Sequence, residues 1–364
     1  MTEPMAPDRA TSTLPVMTAP RSEMESKPEP SGTVAHEPPA AGSMMRAIVQ
    51  DAYGSADVLR LASISPPEIG AREVLLRVQA AGLDRGAWHL MTGTPYLLRV
   101  VFGIRKPRNP VLGREVAGTV VAVGPQVTRF SAGDEVYGVG RGTFADYAAA
   151  REDKLARKPA NATFEQAAVA PVSGLTALQA LTAGRVKPGD QVLIIGASGG
   201  VGTHAVQLAK ASGAEVTAVC RYSKLKLVQS LGADHVIDYT SDSFGGGHGY
   251  NLILDIAGNS APSRLRRALK STGTAVLVGG EGGGKLTGGM GRQLRARALS
   301  LFGRQRLTSV ICKERAADLE RLTELIETGK LMPSVDRTYP LDQVPEAMSY
   351  LAAGKARGKV AITI

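Results

Sequence analysis

Gly196, Gly199 and Gly202 stand three residues apart, directly after the apolar run Val192–Ile195, and they overlap a helical pattern in which Val201, Ala205, Leu208 and Ala209 share a face. A strand, a tight turn and a helix therefore meet on residues without a Cβ. In such a turn, backbone N–H groups and the positive end of the helix close on a pyrophosphate that side chains would hold away. Ser198, Gly200 and Val201 fill the places between. In a chain with 42 glycines this G-x-x-G-x-x-G variant of the dinucleotide fingerprint is weak evidence alone, and its context carries it.

After the helix come Gly213-Ala214, a second apolar run Val216–Val219, a helical pattern Ser223–Leu231 stopped by Gly232, and a short strand Val236–Asp238. This β-α-β-α-β order folds by right-handed crossovers into a parallel sheet with every strand C-terminus on one edge. About twenty residues past the last glycine, where a carboxylate would bind the ribose hydroxyls of NAD, the chain has Cys220-Arg221-Tyr222-Ser223-Lys224. With two cations and a hydroxyl there and no carboxylate, the pattern predicts NADP(H), with Arg221, Ser223 and Lys224 on its extra phosphate and Tyr222 against the adenine. The competing reading makes Arg221 and Lys224 ordinary solvated charges at a helix start.

At 364 residues and 43% hydrophobic content the chain exceeds one typical domain. Cys220 and Cys312 show no paired spacing, which points to a reducing, cytoplasmic setting and away from a disulfide framework. No apolar run is long enough to span a membrane, and the amino end lacks the apolar core of a secretion signal. A net charge of +10 with only 4% aromatics and no basic stripe fits an anionic cofactor and solubility better than nucleic acid. Residues 1–43 hold eight of the 21 prolines and are expected to be disordered, either as a genuine tail or through a misassigned start.

From Met45 to Lys158 short strands alternate with glycine turns, at Arg46–Gln50, Val58–Ile64, Glu73–Ala81, Glu115–Val123, Asp134–Gly138 and Ala145–Ala150, which predicts a β-rich, partly closed barrel. Helical patterns at Thr163–Ala170 and Ser173–Ala183 lead into the nucleotide-binding part, which continues through Asn251–Asp255, Ser263–Leu269 and Thr274–Val278. Ala316–Glu327 is amphipathic, with Leu319, Leu322, Leu325 and Ile326 on one face and Gly329 as its stop. A helix at Val344–Ala353 and a strand at Lys359–Ile364 follow and are expected to return to the first domain.

Gly113-Arg-Glu-Val-Ala-Gly-Thr-Val-Val-Ala-Val-Gly124, Gly142-Thr-Phe-Ala-Asp-Tyr147, the glycine turn and the closing Gly354-Lys-Ala-Arg-Gly-Lys-Val-Ala-Ile362 follow in one order. In that order the chain, from Met45 to Ile364, resembles the medium-chain dehydrogenase/reductase superfamily, above all its zinc-free quinone oxidoreductase and enoyl-reductase-like branch. The resemblance implies an α/β fold: a Rossmann doubly wound parallel sheet plus a GroES-like β-rich catalytic domain, with a cleft between them for nicotinamide and substrate. The chain then divides into an extension (1–43), catalytic domain (44–172), NADP-binding domain (173–308) and catalytic domain again (309–364). Thr176, Gly279 and Gly280 should lie beside the nicotinamide or pyrophosphate, by this resemblance and by their places at strand ends.

Zinc-dependent members of the superfamily have Gly-His-Glu where this chain has Gly113-Arg114-Glu115, and a cysteine where it has Asp84. A guanidinium has no lone pair for a metal, so no zinc site is expected. Hydride delivery to a quinone or an α,β-unsaturated carbonyl leaves a phenolate or enolate, which hydrogen-bond donors and a proton source can manage without a Lewis acid. Asp84 and His89 resemble cleft and proton-relay positions of the family, and Tyr96 carries a phenol able to donate to oxygen. Plainer readings have His89 filling a loop, Tyr96 as an aromatic wall, and Asp84 holding a turn or pairing with Arg114.

The expected activity is an NADPH-dependent reductase of a small, lipophilic quinone or enone, acting as a homodimer. Its rivals are an alcohol or aldehyde dehydrogenase of the same fold and a non-catalytic nucleotide-binding protein. Two segments fall outside this scheme: the apolar, cationic Pro95–Pro107, and Met290–Leu307 with five arginines and no acid. Each is a candidate border of the substrate mouth, and reads either as a peripheral contact with an anionic membrane surface that delivers a lipophilic substrate or as a helix packed at the domain junction or a dimer contact with its arginines in solvent.

Overall fold

By its internal contacts the chain divides after Ala35, and all that follows concerns the unit His36–Ile364. The structure, a computed structural model, describes residues 1, 38–40, 42–241, 249–280, 284–300 and 303–364. Nearly all of the expected extension lies outside these residues, as do Leu301 and Phe302 of the arginine-rich segment.

β1 (Met45–Val49) and β2 (Arg60–Ile64) form an antiparallel pair. Then come β3 (Glu73–Leu83), α1 (Arg85–Thr92), the single turn α2 (Arg99–Phe102), β4 (Glu115–Val123), β5 (Glu135–Val139), β6 (Tyr147–Arg151) and β7 (Leu155–Arg157). β3 is the spine of this half. One edge pairs with β4, and two register irregularities, at Leu75/Leu76 and Val78/Ala80, bend the pair. Its other edge takes β6 along Glu73–Arg77.

A capping box closes the start of α3 (Phe164–Ala168), Thr163 and Gln166 satisfying each other's backbone N–H, and Pro171 opens α4 (Pro171–Gly184). β8 (Gln191–Ile195), α5 (Gly200–Ala211), β9 (Glu215–Cys220), α6 (Leu225–Ser230), β10 (His235–Asp238), β11 (Tyr250–Asp255), α7 (Pro262–Ala268), β12 (Leu269–Leu277), α8 (Met290–Ser300) and β13 (Arg306–Ser309) follow. The sheet runs β10-β9-β8-β11-β12-β13 with parallel neighbours, the doubly wound Rossmann order. Strands covered on both faces are apolar throughout, which is why Val192–Ile195 was legible. β13 was not, because only Leu307 of its four residues is buried.

α9 (Ala316–Glu327), β14 (Val335–Pro340), α10 (Val344–Ala352) and β15 (Lys359–Thr363) complete the chain. β15 runs antiparallel to Ala80–Leu83 of β3 and carries β14 on its far side, finishing a seven-stranded sheet. The expected face of α9 is buried, and the Tyr137 hydroxyl of β5 donates to the Leu319 carbonyl at 2.8 Å. Ala117 and Tyr137 share one apolar cluster with Leu175, Leu319 and Leu322, so both sheets rest on α4 and α9.

Candidate active site

β8 delivers the chain to Gly196, whose φ of +88° costs a residue without a Cβ little. A Cβ at Gly202 would lie 2.2 Å from the Gly196 carbonyl oxygen, so α5 packs on the turn only through hydrogen. At Gly199 a Cβ would meet nothing nearer than that same oxygen at 3.6 Å, which leaves this side open to a phosphate. No side chain caps α5, so the N–H groups of its first turn have no side-chain acceptor. From far along the chain, the Gly358 N–H donates to the Ser198 carbonyl at 2.9 Å, laying the segment before β15 against the turn.

At the end of β9, Arg221, Ser223 and Lys224 border a cavity of about 430 Å³ together with Arg337, Lys355 and Arg357. The Lys224 ammonium donates to the Gly354 and Ala356 carbonyls at 3.0 and 2.6 Å, and burial, helped by the neighbouring Arg221, holds its pKa below the usual lysine value. Tyr222 is 75% exposed beside it. Arg337, Lys355 and Arg357 escaped the sequence reading because they lie more than a hundred residues beyond the motif.

Asp84 follows β3 directly and caps α1, its Oδ1 accepting the Ala87 N–H at 2.7 Å. It therefore holds a turn, and Arg114 pairs instead with Glu314. One turn on, His89 reaches the wall of a cleft of about 400 Å³ that Gly280 and Gly289 face from the nucleotide side. Its Nδ1 lies 2.6 Å from the Thr94 carbonyl, which can only accept, so Nδ1 carries the hydrogen of the neutral ring and Nε2 has the lone pair. Tyr96 is not in that wall: its ring is 43% exposed with the Arg99 guanidinium 4.7 Å from its centre. Its backbone N–H bonds the Lys285 carbonyl at 2.8 Å, tying the two sides of the cleft.

Thr176 is buried, its hydroxyl donating to the Val172 carbonyl at 2.6 Å and lying beside the Cys312 thiol, whose pKa burial pushes up. Gly279 follows β12, and a Cβ there would lie 2.0 Å from the Ile256 carbonyl oxygen. Arg292 of α8 fixes this loop: it pairs with the fully buried Asp255 and donates to the Gly279 and Ser260 carbonyls, both at 3.0 Å. In the sequence it was one arginine of five. Most of the expected site residues thus gather at three places, the glycine turn, the cationic crevice and the His89 cleft, with Tyr96 at the rim, while Asp84 and Thr176 are buried and line neither the crevice nor the cleft.

Beneath them is a buried ionic pair. Glu115 of β4 and Lys359 of β15 are 0% and 3% exposed, bonded to each other, and Glu115 Oε1 also accepts the Val172 N–H that opens α4 at 2.8 Å. Burial pushes the Glu115 carboxyl up to about 7, against the downward pull of the Lys359 ammonium. His204 of α5 is wholly buried, its Nδ1–H donating to the Gly200 carbonyl at 2.8 Å while Nε2 has no hydrogen-bond partner. Burial drives its pKa down to about 4, so it is neutral at pH 7. A depressed histidine contributes stability that is present above its unfolded value of about 6.5 and is lost as pH falls through 4. Urea unfolding is expected to lose about 3 kcal/mol over that window from this group. His204→Leu should flatten that slope relative to the parent; equal slopes in both proteins would contradict it.

Arg114 cannot ligate a metal, Glu314 is shared between Arg114 and Lys154, and both Glu115 oxygens are taken. Among the described residues no three His, Cys, Asp or Glu side chains cluster where an ion would sit. This donor set does not fit a catalytic zinc.

An alcohol dehydrogenase GroES-like domain profile matches residues 70–160, and a zinc-binding dehydrogenase profile matches residues 231–362. Over 338 residues the chain is 31% identical to a chloroplast envelope quinone oxidoreductase homolog of Arabidopsis thaliana, covering 88% of this chain and 99% of that one. It is similar to the solved quinone oxidoreductase of Coxiella burnetii, with a TM-score of 0.79, 27% identity and coverage of 88% and 100%. Escherichia coli quinone oxidoreductase complexed with NADPH gives a TM-score of 0.75 at 26% identity, again covering 88% and 100%.

Proposed function

The chain belongs to the medium-chain dehydrogenase/reductase superfamily and is quinone oxidoreductase-like, and from that premise we propose that it is an NADPH-dependent, zinc-independent reductase of quinones or α,β-unsaturated carbonyl compounds. The observation that carries this reading is the cationic crevice of Arg221, Lys224, Lys355 and Arg357 at the end of β9, the strand next to the one that leads into a glycine turn open at Gly199.

In this reading the N–H groups of Gly200, Val201 and Gly202 hold the pyrophosphate beside Gly199, whose own N–H donates to the Gly196 carbonyl at 3.3 Å, while Arg221, Ser223 and Lys224 take the 2′-phosphate with Lys355 and Arg357. Tyr222 covers the adenine. Ser198 and Gly196 shape the turn, and Thr176, Gly279 and Gly280 border the nicotinamide, which when bound in reduced form supplies the hydride. His89 Nε2 moves a proton at the acceptor oxygen, Asp84 fixes the start of the helix that carries His89, and Tyr96 stands outside the cleft at its rim. The 44–172 and 309–364 segments make up the catalytic domain around the 173–308 nucleotide domain. Among the described residues β10 and β13 are the edge strands of the parallel sheet, which suits a homodimer, and the unpaired Cys220 and Cys312 suit a reducing, cytoplasmic setting. Among the described residues no helix is long and apolar enough to cross a membrane.

NADPH consumption against a panel of quinones, enones and simple aldehydes tests the reading; turnover confined to aldehydes would overturn it. His89→Phe is expected to lower kcat by about 10²-fold, the span of one proton-transfer group, with KM for NADPH unchanged. Arg221→Ala should raise KM for NADPH about tenfold or more while leaving NADH untouched, since a charge-assisted contact is worth about 1.5–3 kcal/mol. Equal loss with both coenzymes would refute the phosphate assignment.

A further inference from the structure

We propose that the tongue between α1 and β4 seats this protein on the surface of an anionic phospholipid bilayer. Leu97, Val100, Val101, Phe102 and Ile104 are 42–71% exposed in one short run, and Leu286, whose carbonyl accepts the Leu97 N–H at 3.1 Å, adds a sixth large apolar side chain at 67%. A patch of this kind marks a contact surface. It is also held outward: the Tyr53 hydroxyl donates to the Gly103 carbonyl at 2.6 Å, the Arg108 N–H donates to the Phe102 carbonyl at 2.8 Å, and the Arg99 guanidinium stacks over Tyr53 and Tyr96. The alternative of a helix buried at the domain junction does not hold for these side chains.

Charge selects the occupant. Arg105, Lys106, Arg108 and Lys285 are exposed around the apolar run. No acid occurs from Arg85 to Arg114 or from Gly284 to Lys313, stretches that carry six and seven Lys or Arg. An apolar centre with a cationic rim matches the interface of a bilayer, whose acyl boundary takes Leu and Phe while anionic headgroups meet the cations. A second copy of the chain, packed through the same patch, would set that rim against like charge. Pro95 and Lys285 line the His89 cleft, and Val101 and Phe102 line a cavity of about 310 Å³ that reaches Arg114. Seating the tongue therefore turns the site toward lipid, which deepens the quinone reading and adds to it the source of a lipophilic substrate.

The test is cosedimentation of the full chain with vesicles of phosphatidylcholine alone or mixed with phosphatidylserine. Binding is expected on the anionic vesicles at low salt, with release as salt rises and little binding to phosphatidylcholine. Val100→Glu with Ile104→Glu, and separately Arg105→Glu with Lys106→Glu, should each weaken it by at least about tenfold, since a single cation near such a surface is worth about fivefold. These four residues line neither the glycine turn nor the His89 cleft, so unchanged circular dichroism and unchanged turnover of a water-soluble quinone show that the variants are intact. Absence of serine-dependent sedimentation, or binding that neither double variant weakens, overturns the proposal. So does a wild-type dimer that ignores vesicles and that Val100→Glu with Ile104→Glu splits. Because binding is read without substrate, a chain that reduced no quinone would still report on this surface.

Discussion

Gly202→Ala is expected to weaken NADPH binding at least about 10²-fold and to lower the unfolding temperature as well. The new methyl would stand 2.2 Å from the Gly196 carbonyl oxygen and 2.6 Å from two backbone atoms of Ala197, none of which belongs to a flexible side chain. Helix α5 must therefore move off the turn, and a displacement of about 1 Å at a positioned group costs about 10²-fold. Gly199→Ala separates the two consequences. Its Cβ would meet only the Gly196 oxygen at 3.6 Å, and its φ of −86° suits alanine, so the unfolding temperature should hold while coenzyme affinity drops. Calorimetric titration with NADPH and thermal melts of both variants check this. Coenzyme affinity in Gly202→Ala within about threefold of the parent would remove the turn from the site.

Lys359→Met is expected to cost about 3–5 kcal/mol of stability, because it leaves the carboxylate of Glu115 buried and uncompensated. The pH dependence identifies the cause. Glu115 has a folded value of about 7 against about 4.5 in the open chain, so its favourable contribution is complete below 4.5 and disappears as pH rises through 7. Without the ammonium the carboxyl rises further, and the variant's deficit should be largest above pH 8 and shrink toward pH 5, where the proton replaces the counter-charge. The double variant Lys359→Met with Glu115→Gln should recover most of the loss. A deficit that is flat with pH, and that the second change does not repair, would mean that Lys359 acts through packing alone, its stem lying under Gly200.

The parallel sheet and the nucleotide turn were legible because both are local in sequence: an apolar run, glycines three apart and a helical stripe need no distant partner. β13 and α1 were not. β13 buries one side chain, and α1 buries only Ala87 and Met91 behind an Asp84 cap that is followed directly by Arg-Gly. The side chains that brace the site were hidden for another reason. Glu115 and Lys359 are 244 residues apart, and Asp255 and Arg292 are 37 apart with a helix and a strand between them. An ion pair leaves no period or motif in either partner, so Arg292 looked like one more cation in a basic segment. Arg357 likewise joins the crevice only because β15 folds back beside α5. Tyr96 shows the converse: its chemistry was plausible, and its ring stacks on Arg99 at the rim.

The pairing of β15 with Ala80–Leu83 has a consequence during synthesis. A ribosome adding about 5–20 residues per second needs about 14–55 s to travel from Leu83 to Val360. Throughout that interval the far edge of β3 offers unpaired amides beside apolar side chains, while the Rossmann sheet, whose strands are contiguous in the message, is free to form. Nascent chains of this protein should therefore engage holding chaperones through the first sheet, and release should wait for the strand that carries Lys359.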